Sequence, residues 1–367
     1  MAIKIDVLMP SSSQYGVLHH FTEKLYEALV RQGAYCRLLS GDDRILVSWN
    51  SPPDLTIGFN GALTMEDGSF FPDLIKVPHV ACLVDPPYRF LNLTKSPYII
   101  IACDDKDGCG LLEERHFERT VFMPHAVEPE VKVGTERIYD MVFLGTCIDA
   151  EGRRKEWKKL FNSEICLLMQ EVAERTLADD RTSFIPMLLG ELDPEKYRKV
   201  FEEVELYIKG KDRLRILEGF PEQRIDVFGG ADGKVEWKKL LKRQSNIVVH
   251  PVISFVDSLK IMQQSKIVLN SSIKNKQGAH ERIFTAAASG AVVVTNDNPL
   301  LREYFKVGKE ILLFGPEVNH EVAELLNDES KRSCIAEAGR KRVLQGHTWD
   351  HRVRKLMQDI APLLKNI

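Results

Sequence analysis

The 367-residue chain lacks the features that define several large classes of protein. It contains no apolar run of about 18 residues, the length that a membrane-spanning helix requires. Its 50 basic residues are balanced by 53 acidic ones, and a formal charge of -3 provides no general field for a nucleic-acid backbone or an anionic membrane. We therefore expect neither an integral membrane protein nor a nucleic-acid-binding protein, and any cationic site must be local.

Several short motifs are also missing. The seven cysteines include no Cys-x-x-Cys pair, which argues against a disulfide framework and a zinc cage. No Gly-x-Gly-x-x-Gly fingerprint is present, which disfavours a dehydrogenase, and the acidic clusters lack the spacing of a calcium loop. The opening MAIKIDVLMP has no signal-peptide core. These absences predict a cytoplasmic protein with no bound metal and no cofactor.

The chain does contain a regular alternation of strand-like and helix-like segments. Short apolar runs such as IKIDVLM and YIIIAC are separated by helical patterns such as GVLHHFTEKLYEALVRQG, which ends at Gly33. The alternation restarts at YDMVFLGT and continues through RIDVFGG, KIVLN and AVVVTN. Residues 150 to 220 are charged, apolar-periodic and poor in turn signals, which predicts a helical insertion. The pattern predicts an α/β protein with two open parallel sheets in tandem.

Positive charge gathers in the stretch SSIKNKQGAHERIFTAAASG, residues 271–290, which lies between the predicted strands KIVLN and AVVVTN. Its first half is then a loop at the carboxyl edge of a parallel sheet, where open α/β proteins bind ligands, and its second half is a helix whose N-terminus attracts anions. Four side chains surround that N-terminus: Lys274, Lys276, His280 and Arg282. A diphosphate is the anion that best fits so many donors. The alternative is that the lysines are solvated and that Arg282 pairs with Glu281 or Glu303.

The run HERIFTAAASGAVVVTNDNPLLREYFKVGKEILLF, followed by IAEAGRKRVLQGHTWDHRVRKLM, resembles the donor-binding half of the group 1 glycosyltransferases. The resemblance covers residues 245–357 and is greatest to the subfamily similar to bacterial spore-maturation-type glycosyltransferases. It implies the GT-B fold, in which two Rossmann-like domains face a cleft. We then expect an acceptor-side domain at 1–135, a nucleotide-sugar-binding domain at 136–347, and a terminal helix at 348–367 that packs back on the first domain.

The resemblance also implies an activity. Members of this family transfer a sugar from a nucleotide diphosphate, here most simply a UDP-sugar, to an acceptor hydroxyl without a metal. The acceptor stays open among glycans, proteins and small molecules, and so does the oligomeric state. Two other functions fit the same architecture: a sugar-nucleotide epimerase or hydrolase, which would release nucleotide without an acceptor, and a non-catalytic subunit that binds a nucleotide-sugar.

The resemblance points to further donor-binding residues. Many members carry a glutamate in a Phe-Glu-Ala triplet that holds the donor, whereas this chain has Phe-Thr-Ala at 284–286. Thr285 can hydrogen-bond but supplies no carboxylate, and Glu281 lies one helical turn earlier on the same face, where it could partly substitute. Gly145 and Thr146 follow the strand YDMVFL, where a glycine lets the backbone approach a phosphate.

The acceptor side offers candidates for the catalytic base. Asp85 follows the apolar run HVACLV and precedes two prolines, so we expect a carboxylate held at a rigid sheet edge; a simple turn-forming aspartate is the alternative. His19, in the first helix, is the second candidate. Gly16 precedes that helix and is expected in the acceptor-side loop, and His125 is expected near the crossover between the domains. If the sugar keeps its configuration no protein base is required, and Asp85 would orient a substrate.

Overall fold

The computed structural model describes residues 3–41, 43–134 and 136–367. The chain divides into two compact units. Unit 1 comprises Met1–Pro129 together with Gly346–Ile367, and unit 2 comprises Glu130–Gln345. The sequence analysis put the corresponding divisions at 135/136 and 347/348.

Unit 1 is built on a parallel sheet with helices. Its strands are β1 (Lys4–Leu8), β2 (Tyr35–Leu39), β3 (Leu55–Phe59), β4 (His79–Leu83), β5 (Ile99–Cys103) and β6 (Thr120–Phe122). Its first helices are α1 (Val17–Arg31), α2 (Asp43–Asn50), α3 (Phe71–Ile75) and α4 (Lys106–Glu114). The strands pair in parallel in the order β2-β1-β3-β4-β5-β6. After β1 the chain forms β2 on one side of β1, and after β2 it forms β3 on the other side. This reversal creates a topological switch point between the carboxyl ends of β1 and β3.

The apolar runs of unit 1 explain why these strands lie in the interior. Ile99, Ile100 and Ile101 of β5 are all completely buried, as expected for a parallel strand that is covered on both faces. Helix α1 ends where the sequence predicted, because Gly33 adopts a left-handed conformation with φ of 86° that a residue with a Cβ adopts at a cost.

Unit 2 repeats this architecture with additional helices. Its strands are β7 (Tyr139–Leu144), β8 (Cys147–Ile148), β9 (Ile225–Phe228), β10 (Ala231–Asp232), β11 (Ile247–His250), β12 (Ser265–Asn270), β13 (Val292–Thr295) and β14 (Leu312–Leu313). Its helices are α5 (Ala150–Leu160), α6 (Ser163–Ala178), α7 (Phe184–Leu189), α8 (Arg198–Glu218), α9 (Trp237–Leu240), α10 (Phe255–Gln263), α11 (Glu281–Ala288), α12 (Pro299–Tyr304), α13 (Val318–Asn327) and α14 (Glu329–Gly346). The main sheet is parallel in the order β11-β9-β7-β12-β13-β14, so its switch point lies between β7 and β12, and β8 pairs with β10.

The helical insertion predicted at 150–220 is confirmed as the four helices α5 to α8. Helix α8 lies unusually close to β8, because a Cβ placed on Gly210 would be only 2.8 Å from the carbonyl oxygen of Ile148. The glycine at this position allows the helix to contact the strand backbone directly. The sequence did not predict β8, β10 or α2.

The last helix, α15 (Trp349–Leu364), belongs to unit 1. The indole ring of Trp349 lies 5.7 Å from the ring of Phe21 and 6.2 Å from that of Phe59, measured between centroids. Arg352 Nε donates to the carbonyl oxygen of Pro124 at 2.9 Å. One face of α15 is apolar and buried: Trp349, Val353, Leu356 and Ile360.

Candidate functional site

Two loops meet at the carboxyl end of β7, beside the switch point of unit 2. The Gly145 N–H donates to the carbonyl oxygen of Phe228 at 2.9 Å, and the Gly145 carbonyl accepts from Trp237 Nε1 at 2.8 Å. A Cβ on Gly229 would lie 2.0 Å from the Gly145 oxygen, so the close approach of these loops requires glycine there. The sequence analysis expected the Gly145 backbone to approach a phosphate, whereas its N–H forms a hydrogen bond within the fold. Thr146 is half-buried, and among the described residues its hydroxyl has no hydrogen-bond partner.

Arg213 of α8 lies at the same place and was missed by the sequence analysis. Its Nη1 donates to the carbonyl oxygen of Thr146, and its Cζ would lie 3.6 Å from a Cβ at Gly145. The side chain is only 7% exposed, and its Nε has no partner within the described part of the chain. Burial, and then the charge of Arg282, lower the pKa of Arg213 to about 10. The available signal was Gly210, a glycine inside a helix one turn earlier on the same face.

Arg282 lies in the first turn of α11, as the sequence predicted for that helix. His280 is the N-cap residue, and its Nδ1 lies 3.4 Å from the backbone nitrogen of Arg282. Arg282 Nε lies 3.7 Å from Glu281 Oε1, and Glu281 Oε2 lies 2.5 Å from His280 Nδ1. The buried Glu281 carboxylate is thus engaged by its two chain neighbours, which is the pairing that the alternative reading of Arg282 described. The charge of Arg282 nevertheless reaches the guanidinium of Arg213.

Lys276 differs from the prediction. It is 1% exposed, and its Nζ donates to the carbonyl oxygens of Thr176 at 3.2 Å and Asp179 at 3.1 Å. These carbonyls lie at the C-terminal end of α6, where unpaired acceptors and the helix dipole favour a cation. Burial lowers the pKa of Lys276, while nearby carboxylates such as Asp180 oppose that shift. The ammonium group therefore stabilises a helix end in the interior and is not part of an open anion site.

The other two predicted donor contacts are Thr285 and Lys274. Thr285 is buried and its Oγ1 donates to the carbonyl oxygen of Glu281 at 3.1 Å, the residue one turn earlier in α11. Its hydroxyl hydrogen is therefore used by the helix. Lys274 is half-buried in the loop that precedes α11.

A buried carboxylate of α8 fixes the loops at this edge of the sheet. Asp212 is completely buried and accepts from Ser271 Oγ at 2.6 Å and from Asn296 Nδ2 at 3.0 Å. Arg215 Nη2 donates to the same carboxylate at 2.8 Å. Since Ser271 follows β12 and Asn296 follows β13, the helical insertion holds both loops through one side chain.

Arg213 and Arg282, whose positive charges act on each other, form a local cationic site that we call the arginine pair. The Arg213 guanidinium group is buried, its Nε has no partner, and no carboxylate lies at ion-pair distance from it among the described residues. Guanidinium groups bind phosphate oxygens in a bidentate manner, and a helix N-terminus adds to the attraction. The arrangement can hold an anion with several oxygens.

Asp85 lies at the carboxyl end of β4 in unit 1. Its Oδ2 accepts from Asn60 Nδ2 at 2.9 Å, and Asn60 Oδ1 in turn accepts from the Val84 N–H at 3.0 Å. Arg89 Nη1 lies 3.9 Å from Asp85 Oδ1. The Asp85 side chain is 38% exposed. Its carboxylate is therefore oriented by the protein and still open to a ligand.

The other acceptor-side candidates lie around α1. His19 Nε2 is 3.0 Å from the carbonyl oxygen of Pro10; because a carbonyl only accepts, Nε2 carries the hydrogen and Nδ1 is the basic nitrogen. Gly16 is the N-cap of α1 with φ of 80°. His125 is buried, with Nε2 3.2 Å from Asp104 Oδ2, so it lies in the interior of unit 1.

A pocket of about 330 Å³ opens at the switch point of unit 1, between the loops that follow β1 and β3. Its deepest polar side chain is His79, which the sequence analysis did not single out. His79 Nδ1 bonds Thr56 Oγ1 at 2.8 Å, and Nε2 bonds the carbonyl oxygen of Gly61 at 3.0 Å. Complete burial lowers the pKa of His79 to about 4.

Two kinds of feature are absent from the described residues, 3–41, 43–134 and 136–367. No group of three or more His, Cys, Asp or Glu side chains there is arranged to hold a metal ion. No helix in the same residues is long and apolar enough to span a bilayer.

Two parallel-sheet, Rossmann-like units in tandem define the GT-B fold, which is the fold class predicted from the sequence. Residues 211–358, less than half of the chain, match a family model described as "Glycosyl transferase-like". This segment is similar to the family that the sequence analysis predicted. The segment includes Arg213, Arg282 and the loops that Asp212 holds. A comparison with curated protein sequences gives no match.

Solved structures of similar fold span the whole chain. An α-glucosyltransferase in complex with UDP-glucose and DNA containing an abasic site has a TM-score of 0.60 at 10% identity, covering 98% of this chain and 99% of that one. AviGT4, a glycosyltransferase involved in avilamycin A biosynthesis, has a TM-score of 0.58 at 12% identity, covering 100% and 99%. Anabaena HepE in complex with UDP and glucose has a TM-score of 0.55 at 13% identity, covering 100% of both chains. At such low identity these likenesses establish the fold.

Proposed function

We propose that this protein is a glycosyltransferase that moves a sugar from a nucleotide diphosphate to an acceptor hydroxyl. The observation that carries the proposal is the arginine pair: Arg213 donates to the carbonyl oxygen of Thr146, and the charge of Arg282 acts on its guanidinium group. A diphosphate would supply the negative charge that the buried Arg213 guanidinium group lacks among the described residues. UDP is the first nucleotide to consider, because UDP and UDP-glucose are named in the complexes of two proteins with this fold.

Sugar transfer moves charge onto the leaving diphosphate. The acceptor oxygen forms a bond to the anomeric carbon, the bond from that carbon to the diphosphate oxygen breaks, and its electron pair leaves with the nucleoside diphosphate. Positioned cations stabilise this developing charge. Arg213 and Arg282 can supply that stabilisation, and we accordingly propose a reaction that needs no metal ion.

The proton of the acceptor hydroxyl requires a base if the sugar is inverted. We assign this role to Asp85, whose carboxylate is held by Asn60 and remains exposed. His19 is the second candidate, through Nδ1. In a retaining reaction Asp85 would orient the acceptor instead.

Two further assignments are part of the proposal. The resemblance of residues 245–357 supports a place in the subfamily similar to spore-maturation-type glycosyltransferases. The seven cysteines, all within the described residues, form no disulfide, which is consistent with a reducing compartment and with a cytoplasmic enzyme.

The proposal is tested by calorimetric titration with UDP and other nucleoside diphosphates. We expect Arg282→Gln to weaken UDP binding about 10- to 100-fold, because a charge-assisted hydrogen bond contributes about 1.5 to 3 kcal/mol. Arg175→Gln is the matched control: Arg175 lies on α6 in the same unit, is 61% exposed and, within the described part of the chain, forms an ion pair only with Glu171 one turn earlier. It should leave the affinity unchanged.

The titration also separates the rival functions. Equal affinity of the Arg282 and Arg175 variants, or no binding of any nucleoside diphosphate, would refute the donor site. Release of UDP from a UDP-sugar without an acceptor would identify a hydrolase or epimerase. Tight binding without release, across a broad acceptor panel, would identify a non-catalytic binding protein.

A further inference from the structure

We propose that Cys103 and Cys109 form a reversible disulfide when the protein meets a hydroperoxide, so that unit 1 carries an oxidisable site beside the segment of Asp85. Both are free cysteines in the structure, and the proposed transfer reaction uses neither. Disulfides of cytosolic proteins are usually transient and redox-sensing, which is compatible with the proposed cytoplasmic location. Detection of the disulfide needs neither a sugar donor nor an acceptor, so the site is tested independently of the proposed function.

The fold brings the two cysteines to one place. Cys103 is the last residue of β5, and Cys109 lies near the start of α4, the next helix. The Cys109 sulfur is 3.8 Å from the carbonyl oxygen of Val121 on β6. Strand β6 pairs directly with β5, where Cys103 is opposite Phe122, the residue after Val121. The Cys109 side chain therefore reaches the edge of the sheet at which Cys103 ends its strand.

Gly108 allows α4 to lie this close to β5. A Cβ built on Gly108 would be 3.6 Å from the Cβ of Cys103. A disulfide requires two Cβ atoms about 3.5 to 4.5 Å apart, so the helix backbone next to Cys109 already runs at the distance that the bond needs. The same Cβ would be 3.0 Å from Cγ and Cδ of Pro87, which is tighter than an ordinary contact. Helix α4 is thus packed against both Cys103 and Pro87.

The two thiols differ in access and in proton affinity. Cys109 is half-buried and can be reached by a small hydroperoxide, whereas Cys103 is only 1% exposed. A hydrogen bond with the Cys109 thiol, and then burial, raise the pKa of the Cys103 thiol, and the charges of Asp104 and Asp105 act in the same direction. Cys103 therefore keeps its proton and is protected from direct oxidation, so Cys109 reacts first.

The oxidation proceeds in two balanced steps. The Cys109 thiolate attacks one oxygen of the hydroperoxide; an S–O bond forms, the O–O bond breaks, and the departing oxygen takes up the proton that Cys109 lost. The Cys103 sulfur then attacks the sulfur of the resulting sulfenic acid; the S–S bond forms, the S–O bond breaks, and the hydroxide leaves as water with the Cys103 proton. The two thiols lose two electrons in all, and these reduce the hydroperoxide. Dithiothreitol reverses the change by thiol–disulfide exchange.

The site lies next to the segment that carries Asp85. Pro87, which Gly108 approaches so closely, follows Asp85 by two residues, and Arg89 in the same segment has its Nη1 3.9 Å from Asp85 Oδ1. The S–S bond draws α4 toward β5, and the tight contact at Gly108 transmits this movement to Pro87. Amide exchange in residues 84–90 therefore differs between the oxidised and the reduced protein. A resulting effect on sugar transfer rests on the proposed role of Asp85.

The test treats the full chain with hydrogen peroxide, blocks the remaining thiols by alkylation and digests the protein with trypsin, which cleaves after Lys106 between the two cysteines. The disulfide then appears by mass spectrometry as peptides 96–106 and 107–115 joined with the loss of two hydrogen atoms. We expect this pair to form at least about tenfold faster than any other pair of cysteines and to disappear after treatment with dithiothreitol.

Two variants test the roles of the thiols. In Cys103→Ala the sulfenic acid should accumulate at Cys109, where dimedone traps it, whereas the unmodified protein should give little of this adduct. If Cys103→Ala does not fold, as judged by circular dichroism, Cys109→Ser replaces it, and Cys103 should then stay unoxidised at the peroxide concentration that links the unmodified protein. Cys109→Ser should also abolish the peroxide-dependent change of exchange in residues 84–90.

Cys166→Ser is the matched control. Cys166 is also half-buried on a helix, and its sulfur likewise lies 3.8 Å from a carbonyl oxygen, that of Phe161. This variant should form the linked peptides at an unchanged rate and keep the change of exchange.

Three results would overturn the proposal: no reaction of Cys109 with peroxide, oxidation of Cys109 to a sulfinic acid without linkage, or linkage of Cys109 mainly to another cysteine. Linkage with unchanged exchange in residues 84–90 would refute the connection to Asp85. UDP affinity is measured on the same reduced samples, so a failure of the proposed function is seen separately from a failure of the disulfide.

Discussion

Both units have a parallel sheet with a switch point, but the side chains at the carboxyl edges of the two sheets differ. In unit 1 the edge holds an open pocket with polar and apolar lining, whose polar side chains His79 and Asn60 have local hydrogen-bond partners. In unit 2 the edge is covered by a helix of the insertion, which brings the charged residues Asp212 and Arg213 into contact with the loops. The comparison teaches that a switch point fixes where a ligand binds, while the segments that cover it decide what kind of ligand that is.

Removal of the Asp212 carboxylate is expected to have the largest effect on the stability of the unit 2 edge. Asp212→Ala would leave Ser271 and Asn296 without their acceptor and Arg215 without its partner, so we expect a loss of about 3 kcal/mol or more in the free energy of unfolding of unit 2. Hydrogen exchange of peptides from β12 and β13 measures the loss of stability in unit 2. Glu171→Ala, which removes an exposed pair on α6, should change it by less than about 0.5 kcal/mol. Similar protection in the two variants would show that the network contributes little.

The buried imidazole ring of His79 makes the stability of unit 1 depend on pH. The pKa of His79 is about 4 in the folded protein against 6.5 for a free histidine, so the unfolded chain binds a proton first as the pH falls. Stability is therefore complete above pH 6.5 and decreases until pH 4, and a difference of this size corresponds to about 3 kcal/mol in total.

Urea unfolding of unit 1 at pH 7 and pH 5, followed by hydrogen exchange of peptides from β3 and β4, tests this dependence. We expect a decrease of about 2 kcal/mol between the two pH values for the unmodified protein. His79→Gln retains polar groups but does not titrate, so it should remove most of the difference. An unchanged difference would assign the effect to other groups.

Replacement of Lys276 in unit 2 is expected to have the smallest effect. Lys276→Met removes the ammonium group from two carbonyls at the end of α6, which should cost about 1 kcal/mol of stability. Because the buried ammonium group of Lys276 already contacts the carbonyl oxygens of Thr176 and Asp179, we expect UDP affinity to remain within about twofold of the unmodified value. A loss as large as that of Arg282→Gln would return Lys276 to the donor site and refute its structural role.

The periodicity of the sequence was sufficient for the fold but only partly for the site. Short apolar runs separated by helical patterns predicted both sheets, and an anion-attracting helix N-terminus predicted the position of Arg282. Lys276 was misassigned because its partners, Thr176 and Asp179, lie about a hundred residues earlier in the chain. Arg213 was missed because its contact, Thr146, lies 67 residues earlier in the chain; Gly210 marked the close packing of α8 on β8 but not the arginine that this packing brings to Thr146.

The position of α15 has a consequence for how the protein is made. Trp349 covers Phe21 and Phe59, so the interior of unit 1 is complete only after the last helix has left the ribosome. All of unit 2 has been synthesised by then. Translation of unit 1 therefore begins first, but unit 1 completes its folding last. The rings of Phe21 and Phe59 lack their Trp349 contact while unit 2 is translated. A nascent chain stalled after residue 345 would carry a complete unit 2 and an incomplete unit 1 that attracts chaperones.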